Sequence, residues 1–530
     1  MWRLPLAAQS DHDSAADIRQ PGGRLVLVLP FDNRSGQSNL NWIGDSFPYV
    51  LDQRLSSAGF LTISRDDRVY ALEHLGLPEE FRPSRATTIR IAQTLDADFV
   101  IVGSFNVTNP GTPQSRIDVQ AQVLEVNQLK MSPPLVDSAE LPRLFDVENA
   151  IAWKVAGRMD PHFGVAEQTF LAAAGGVRLS SFENYIRGTS APTQDERLKR
   201  LQTAVQETPT FTAALLALGK EQYAARDYEE AAATLAKIPA TDRVALEAGF
   251  YRGLARFNIA KYAEAQTAFS FVASRLPLPE VVNDEGVAAS RQGKDAVPLF
   301  QQVIAADPND ADYHFNLAVA LLGRSDIAGA THEVQQALKL HADDPEAQEL
   351  LTRLQATHGS TANLKTIMSA DGFDPTTRIR RTWSEASFRQ AAFQLDQMRA
   401  IQMATLPPEK QGVEYAKLGQ GYLDQGLMPE AEQEFHSALV ADPKNAAAHA
   451  GIAEVRERSG ATSEARAEAE MSLKLSPSVA AYLVLARLEL QDNQLAASAS
   501  NVSNALRLEP KNANALGMKT ALQARGQSVP

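Results

Sequence analysis

The sequence of 530 residues contains no cysteine. That absence excludes disulfides, thiolate nucleophiles, iron–sulfur clusters and every zinc site that needs a cysteine ligand. Basic residues are also few: 51 Lys and Arg stand against 64 Asp and Glu, which gives a formal net charge of −13. A nucleic-acid-binding surface needs clustered positive charge, so this balance argues against a nucleic-acid partner.

Long apolar runs are absent as well. No stretch approaches the ~20 apolar residues that a membrane-spanning helix needs, so we predict no membrane span. The first residues, 1–23, are polar apart from a short apolar stretch too brief for the core of a leader peptide. Two interpretations of them stay open: a disordered lead-in, or the remnant of a leader whose beginning is missing.

Recognisable catalytic and metal-binding motifs are missing too. The nine histidines show no metal-ligand spacing, and neither a nucleophile elbow nor a phosphate-binding loop occurs. The stretch Asp307–Asp312 resembles a calcium loop but lacks its glycine and its distal glutamate. We therefore predict that the protein is not an enzyme and has no catalytic residues, no metal and no cofactor.

Residues 24–160 alternate between strand and helix patterns. Leu25–Phe31 and Phe99–Phe105 are continuous apolar runs, typical of strands buried on both faces. Ile117–Val123 alternates apolar and polar residues, which indicates a half-exposed antiparallel strand. Apolar residues at helical spacing then predict a closing helix that ends near Met159. These patterns predict a small α/β domain, with a mixed sheet covered by helices.

Three motifs in this segment resemble a known bacterial domain: Val28–Gly36 (VLPFDNRSG), Trp42–Asp45 and Leu95–Phe105. They resemble the amino-terminal domain of TolB and the related α/β domain of CsgG-like envelope proteins. The resemblance implies a structural module that is often fused to helical repeats. It also implies a periplasmic or envelope-associated location, with the cytoplasm as the alternative. The β-propeller of TolB does not follow here, so TolB's partners do not carry over.

The remainder of the chain shows a period of about 34 residues. Small and aromatic residues within Val413–Asn445 fit one repeat unit. Proline recurs at Pro443, Pro477 and Pro510, at intervals of 34 and 33 residues. An earlier block repeats the pattern, with Ala231, Ala265, Ala296 and Ala330 spaced by 34, 31 and 34. In the first of these segments the positions that match the tetratricopeptide pattern are Leu418, Gly419, Tyr422, Gly426, Ala431, Phe435, Ala438 and Pro443.

The chain thus resembles a bacterial tetratricopeptide-repeat protein with about eight units, each a pair of antiparallel helices. Glycines such as Gly219 and Gly419 are expected where the paired helices touch, and prolines where the second helix ends. Stacked pairs form an all-α superhelical solenoid. We predict a linker at 161–180, tetratricopeptide repeats at 181–345, degenerate repeats or a helical insertion at 346–411, and further repeats at 412–530 that close with a capping helix at Ala513–Ala524.

The region 346–411 allows two interpretations. Its length is nearly in phase with the repeats, which favours a continuous solenoid of eroded units over two arrays joined by an insertion. Thr382–Thr405 is predicted to be one long helix whose inward face carries Phe388, Ala392, Leu395 and Met398. The basic cluster Arg378–Arg381 is interpreted as a solvated face, with a contact for an acidic partner as the alternative.

The first helices of the pairs are expected to line the concave side of the solenoid. Aromatic residues there are suited to anchor a peptide or a helix, unless they pack against a neighbouring domain. The positions that would clamp a terminal carboxylate in some tetratricopeptide proteins are mostly apolar here, which argues against that partner class. The predicted groove residues are Lys220, Tyr223, Phe250, Leu254, Phe257, Asn258, Phe315, Gln420, Leu423 and Asp424.

The sequence therefore predicts a non-enzymatic scaffold that binds a partner protein or an extended peptide on the concave face of its repeats. The alternative is a regulatory protein in which the α/β domain binds a small ligand and the repeats relay its state. That alternative depends on the polar loop Asp32–Asn41, which follows the first strand at an edge where open α/β sheets often bind ligands.

Overall fold

The computed structural model describes residues 25–77, 84–172, 176–362, 364, 372–383 and 385–530. The predicted lead-in, 1–23, lies outside the described residues. The chain forms two compact units. One unit comprises Met1–Ala173 and Phe393–Pro530, and the other comprises Ala174–Ala392. We describe each unit separately.

The first unit begins with a seven-stranded mixed sheet. Its strands are β1 (Leu25–Val28), β2 (Asp32–Asn33), β3 (Leu61–Thr62), β4 (Phe99–Thr108), β5 (Arg116–Glu125), β6 (Lys130–Met131) and β7 (Leu135–Glu140). The order is β3-β1-β4-β5-β6, with β2 beside β4 and β7 beside β5. β1 is parallel to β3 and β4, whereas β5 is antiparallel to β4 and β7. The predicted mixed sheet with helices is confirmed.

Helices cover this sheet because apolar residues recur along one side of each. They are α1 (Asn41–Ser57), α2 (Arg65–His74), α3 (Arg85–Thr94), α4 (Leu144–Met159) and α5 (Glu167–Ala172). The hydroxyls of Ser64 and Ser84 cap α2 and α3 by accepting backbone N–H groups at 3.1 and 3.3 Å. The predicted face of α4, with Val147, Ile151 and Val155, is fully buried.

Helix hairpins make up the rest of both units. In the second unit they are α6 (Leu179–Thr189), α7 (Gln194–Glu207), α8 (Thr212–Ala224), α9 (Tyr228–Leu235), α10 (Ala245–Asn258), α11 (Tyr262–Ala273), α12 (Pro279–Ser290), α13 (Val297–Ala306), α14 (Ala311–Gly323), α15 (Ile327–Leu340) and α16 (Pro345–Ala356). The boundary helix α17 (Glu385–Ala404) precedes those of the first unit: α18 (Pro408–Asp424), α19 (Met428–Ala441), α20 (Ala446–Arg458), α21 (Thr462–Leu475), α22 (Val479–Gln491), α23 (Leu495–Leu508) and α24 (Ala513–Ala524).

Region 346–411 is described in part, and its helices there include most of α16 and all of α17. Whether it holds degenerate repeats or a helical insertion stays a prediction. After α16, residues 373–383 form neither helix nor strand, and α17 follows them. Within α17, Phe388 packs against the core of the second unit. Met398 is 52% exposed, so its predicted inward orientation is wrong. The side chains of Ala392 and Leu395 lie outside the described residues.

Residues 161–180 are not a simple linker. They contain α5, whose Phe170 is fully buried. The ring centres of Phe170 and Phe163 lie 5.8 Å apart. Within the same unit, the backbone N–H of Ala166 donates to Glu432 Oε1 of α19 at 3.3 Å. That buried carboxylate also pairs with Arg456 Nη2 at 2.5 Å. The hydrogen bond from Ala166 therefore attaches the end of the α/β domain to the repeats that follow α17, at a carboxylate that the ion pair with Arg456 holds in place.

The two helices of a hairpin approach closely at glycines, as predicted. A Cβ atom at Gly219 would lie 2.5 Å from the side chain of Leu235, and one at Gly419 would lie 2.7 Å from that of Phe435. Real Cβ atoms do not come this close to another heavy atom, so only glycine fits these positions without a shift of the neighbouring helix.

Replacement of Gly419 by leucine is expected to lower stability by about 1–3 kcal/mol, because the new side chain would overlap Phe435. Gly421→Leu is the matched control, since a Cβ there meets no atom within 4 Å. Leucine also favours helix over glycine by up to about 1 kcal/mol. Thermal unfolding checks this: Gly419→Leu should melt below the parent and Gly421→Leu should not. Equal melting temperatures would contradict the assigned contact.

A buried carboxyl group lies inside the α/β domain. Glu148 of α4 is fully buried and accepts a hydrogen bond from the hydroxyl of Ser46, while its Oε2 has no partner. Burial raises the pKa of Glu148 to about 8, although the Ser46 bond opposes the shift. The folded domain therefore holds this proton at neutral pH, whereas the unfolded chain releases it near pH 4.5.

Stability of the domain should consequently fall as pH rises from about 4.5 to about 8, because the folded state binds the extra proton throughout that window. The slope is about 1.4 kcal/mol per pH unit. Glu148→Gln keeps an oxygen for Ser46 and removes this contribution. Melting temperatures at pH 5 and pH 9 should therefore diverge between variant and parent, with the variant more stable at pH 9. A pH-independent difference would argue against a neutral Glu148.

Candidate functional site

Two asparagines lie at the same place on successive first helices of the second unit. Asn283 is on α12 and Asn316 on α14, 33 residues apart, and both are fully buried. Asn316 Nδ2 donates to Asn283 Oδ1 at 2.7 Å, so each fixes the orientation of the other. Such groups are buried only where their remaining hydrogen bonds are also made.

Asn283 Nδ2 also donates to Asp284 Oδ1 at 3.1 Å. The other partners of the two asparagines belong to residues 373–383, which we call the seated segment. The N–H of Arg378 donates to Asn316 Oδ1 at 2.5 Å. The C=O of Arg378 accepts from Asn316 Nδ2 at 2.8 Å and from Asn283 Nδ2 at 3.0 Å. The N–H of Arg380 donates to Asp284 Oδ1 at 2.8 Å. All four bonds to this segment go to main-chain atoms, so they hold its backbone independently of which side chains it carries.

The side chain of Arg378 is bound from two sides. Its Nη1 contacts Asp312 Oδ1 at 2.8 Å and Asp344 Oδ2 at 2.6 Å. Its guanidinium carbon lies 3.8 Å from the centre of the Phe315 ring, within the range of a cation–π contact. Burial has the largest single effect on the pKa of Asp344 and would raise it. The hydrogen bond and charge of Arg378 and the backbone N–H groups of Ala347 and Glu346 together outweigh burial, so the pKa is lowered.

Arg380 is bound in a similar way. It pairs with Asp310 and, through Nη1, with Asp312 Oδ2 at 3.1 Å, and it lies 5.3 Å from the Tyr313 ring. The expectation that Arg378–Arg381 forms a solvated face is therefore wrong for Arg378 and Arg380. Only Arg381 is exposed, with Nη1 3.4 Å from Asn258 Oδ1.

The carboxylates come from helix starts. Asp310 is the N-cap of α14 and Asp344 the N-cap of α16, and each accepts backbone N–H groups of its own helix at 2.9 to 3.1 Å. These acidic caps are particular to α14 and α16, since the preceding first helices α10 and α12 have Val244 and Leu278 as their N-caps. We call the surface formed by these caps, the paired asparagines, Asp284, Asp312 and the adjoining aromatic rings the groove.

Of the predicted groove residues in the second unit, four contact the seated segment. Phe315 lies under Arg378, the ring centre of Phe250 lies 5.6 Å from that of Trp383, and Asn258 contacts Arg381. The hydroxyl of Tyr223 is hydrogen-bonded to Arg381 and accepts from Asn258 Nδ2 at 3.4 Å.

The other predicted residues of this unit face neighbouring helices. Lys220 pairs with Glu247 at 2.7 Å, and Phe257 lies against Tyr262 with ring centres 5.2 Å apart. Leu254 is fully buried in the core that also receives Trp383 and Phe388.

Gln420, Leu423 and Asp424 lie in the other compact unit. Gln420 Nε2 donates to Asp424 Oδ1 at 2.8 Å, and both side chains are exposed. The prediction that Leu423 lines an open groove is wrong. It is fully buried with Phe435 and Val455, because it continues the stripe of small residues that faces α19.

Sequence reasoning missed Asn283, Asp284, Asn316, Asp312 and Asp344. The sequence did contain a signal for the two asparagines: each lies on the apolar side of a first helix, and the two are one repeat apart. Among the described residues, no group of three acidic or histidine side chains is placed to hold a metal ion. None of the helices in the described part of the chain has the length and apolar character needed to cross a bilayer.

Comparison with known proteins supports the repeats. Two family models described as tetratricopeptide repeat match residues 288–354 and 416–480, which confirms the predicted repeat type. No curated protein matches the chain.

Several solved structures are similar to parts of the chain. MamA from Desulfovibrio magneticus RS-1 is 16% identical over 34% of this chain and 99% of its own, with a TM-score of 0.28. YrrB, described as a TPR protein with an unusual peptide-binding site, is 15% identical over 39% of this chain and 98% of its own, with a TM-score of 0.28. The C-terminal domain of LpoB from Escherichia coli is 20% identical over 22% of this chain and 83% of its own, with a TM-score of 0.19. At these identities and TM-scores the likeness is one of local fold alone.

Asn316→Leu should loosen the seated segment, because it removes the bonds to both main-chain groups of Arg378 and leaves Asn283 without its partner. Hydrogen exchange measured by mass spectrometry should show faster deuterium uptake in residues 373–383. The control is Asn184→Leu, since Asn184 donates only to the carbonyl of Ser180 in its own helix. Unchanged uptake in Asn316→Leu would contradict the role of these bonds.

Proposed function

We propose that this protein is a non-enzymatic scaffold whose groove binds an extended peptide of a partner protein. One observation carries the proposal: side chains of Asn283, Asp284 and Asn316 hydrogen-bond the main chain of an extended segment. Main-chain recognition of this kind is how many domains take up a peptide from another chain. The tetratricopeptide repeats supply the rigid helices on which these side chains stand.

The alternative, a small-ligand sensor in the α/β domain, has no observation in its favour. In the loop Asp32–Asn41, Asn33 Nδ2 donates to the carbonyl of Gln37 at 2.7 Å and to Asn41 Oδ1 at 2.9 Å. The oxygen of Asn33 accepts the N–H of Ser35 at 2.9 Å. These polar groups of Asn33 are used in hydrogen bonds within the loop itself. An envelope location stays a prediction of the resemblance of residues 24–160 to TolB-type domains.

The test uses the full chain with Arg378→Glu and Arg380→Glu, which sets like charges opposite Asp310 and Asp312. We expect this repulsion to exceed what the main-chain bonds contribute and to displace the seated segment, which hydrogen exchange of residues 373–383 checks. A fluorescent peptide with the sequence of residues 372–383 should bind this variant saturably, as followed by anisotropy. Adding Asn316→Leu should weaken binding about tenfold or more, because two main-chain bonds are lost. A folded, vacated variant that binds no peptide would contradict the proposal.

A further inference from the structure

We propose that the partner peptide carries two arginines separated by one aliphatic residue, and that the seated segment is a resident mimic of this ligand, which the partner displaces. This inference rests on the proposed function and adds to it the chemistry of the ligand. It also gives the seated segment a role as the occupant that a partner must replace.

The first argument is the spacing of charge. Residues i and i+2 of an extended chain point to the same side. Arg378 and Arg380 have this spacing, and Asp312 bridges them with one oxygen at 2.8 Å from Arg378 and the other at 3.1 Å from Arg380. Asp344 pairs with the same Nη1 of Arg378, Glu346 lies 3.4 Å from Arg378 Nη2, and Asp310 pairs with Arg380 Nη2. A ligand with one arginine, or with a different spacing, leaves one of these carboxylates unpaired.

The second argument is the shape of the cation site. Each guanidinium lies near an aromatic ring, Phe315 at 3.8 Å for Arg378 and Tyr313 at 5.3 Å for Arg380. A planar guanidinium stacks on a ring and donates to two carboxylates at once, whereas a lysine ammonium acts as a compact, strongly hydrated charge. The groove therefore selects arginine over lysine.

The third argument concerns the residue between the arginines. Ile379 is half-buried and packs against the two apolar clusters of the second unit, one centred on Phe315 and the other on Phe250. A small or charged residue at this place would lose that burial. The ligand sequence that fits is thus arginine, an aliphatic residue, arginine.

Nothing in these contacts requires the ligand to belong to the same chain. The groove bonds main-chain atoms and two side chains that a second protein can present equally well. The seated segment has the advantage of attachment, which corresponds to an effective concentration of roughly millimolar. A partner must overcome that advantage, and the net charge of −13 favours the approach of a basic one.

The experiment compares peptides on the full chain with Arg378→Glu and Arg380→Glu. Four peptides spanning residues 372–383 are titrated: the parent sequence, one with both arginines changed to alanine, one with both changed to lysine, and one with an alanine inserted after Ile379. The parent should bind at least about tenfold tighter than each of the others, since each lost charge-assisted contact costs about that much.

Equal affinity for the parent and the alanine peptide would overturn this inference and leave binding of extended peptides intact. Absence of binding by any of the four would overturn both. If the charge-reversed chain fails to fold, the chain with Arg378→Ala and Arg380→Ala replaces it in the same titration.

Displacement is tested on the unmodified chain. Parent peptide in several-millimolar excess should raise deuterium uptake in residues 373–383, whose N–H groups at Arg378 and Arg380 are bonded to the groove. The alanine peptide at the same concentration serves as the control and should not raise deuterium uptake in these residues. No rise with the parent peptide would show that the seated segment is a permanent part of the repeat core, which overturns its role as a mimic.

Discussion

The groove depends on the close contact between the two helices of each hairpin. Small residues at that contact, Gly286 on α12 and Ala318 on α14, let the helix axes approach, and the first helices of successive hairpins then lie side by side at one-repeat intervals. Only with that regular spacing do Asn283 and Asn316 come within hydrogen-bond distance of each other. A peptide backbone has its own fixed repeat, so a ladder of polar side chains can follow it only on a regular scaffold.

The polar ladder also explains why burial of so many hydrogen-bonding groups is tolerated. Asn283, Asp284 and Asn316 are fully buried, and burial raises the pKa of Asp284 well above its usual range. The main chain of the seated segment supplies bonds to both asparagines and to Asp284 Oδ1, whereas the buried Asp284 Oδ2 has no hydrogen-bond partner. Removal of one member leaves the others unsatisfied, which makes such a network specific for one arrangement of its occupant.

The sequence alone was sufficient for the architecture, because strands and repeats leave periodic signals. The alternation in Ile117–Val123 and the recurring alanines and glycines are local or regularly spaced features. The seated segment has no such signal. Arg378 meets Asn316 from 62 residues away, and Arg380 meets Asp284 from 96 residues away. A run of arginines is ordinarily solvated, and only the fold reveals the aspartates that face it.

Asp310 and Asp344 satisfy two requirements at once, since each caps a helix and each binds an arginine of the seated segment. Any change at these positions alters the start of a helix together with the choice of ligand. For the ligand that we propose, preference is therefore tied to folding, and evolution toward a different ligand would have to proceed through the aromatic and central positions rather than through the capping aspartates.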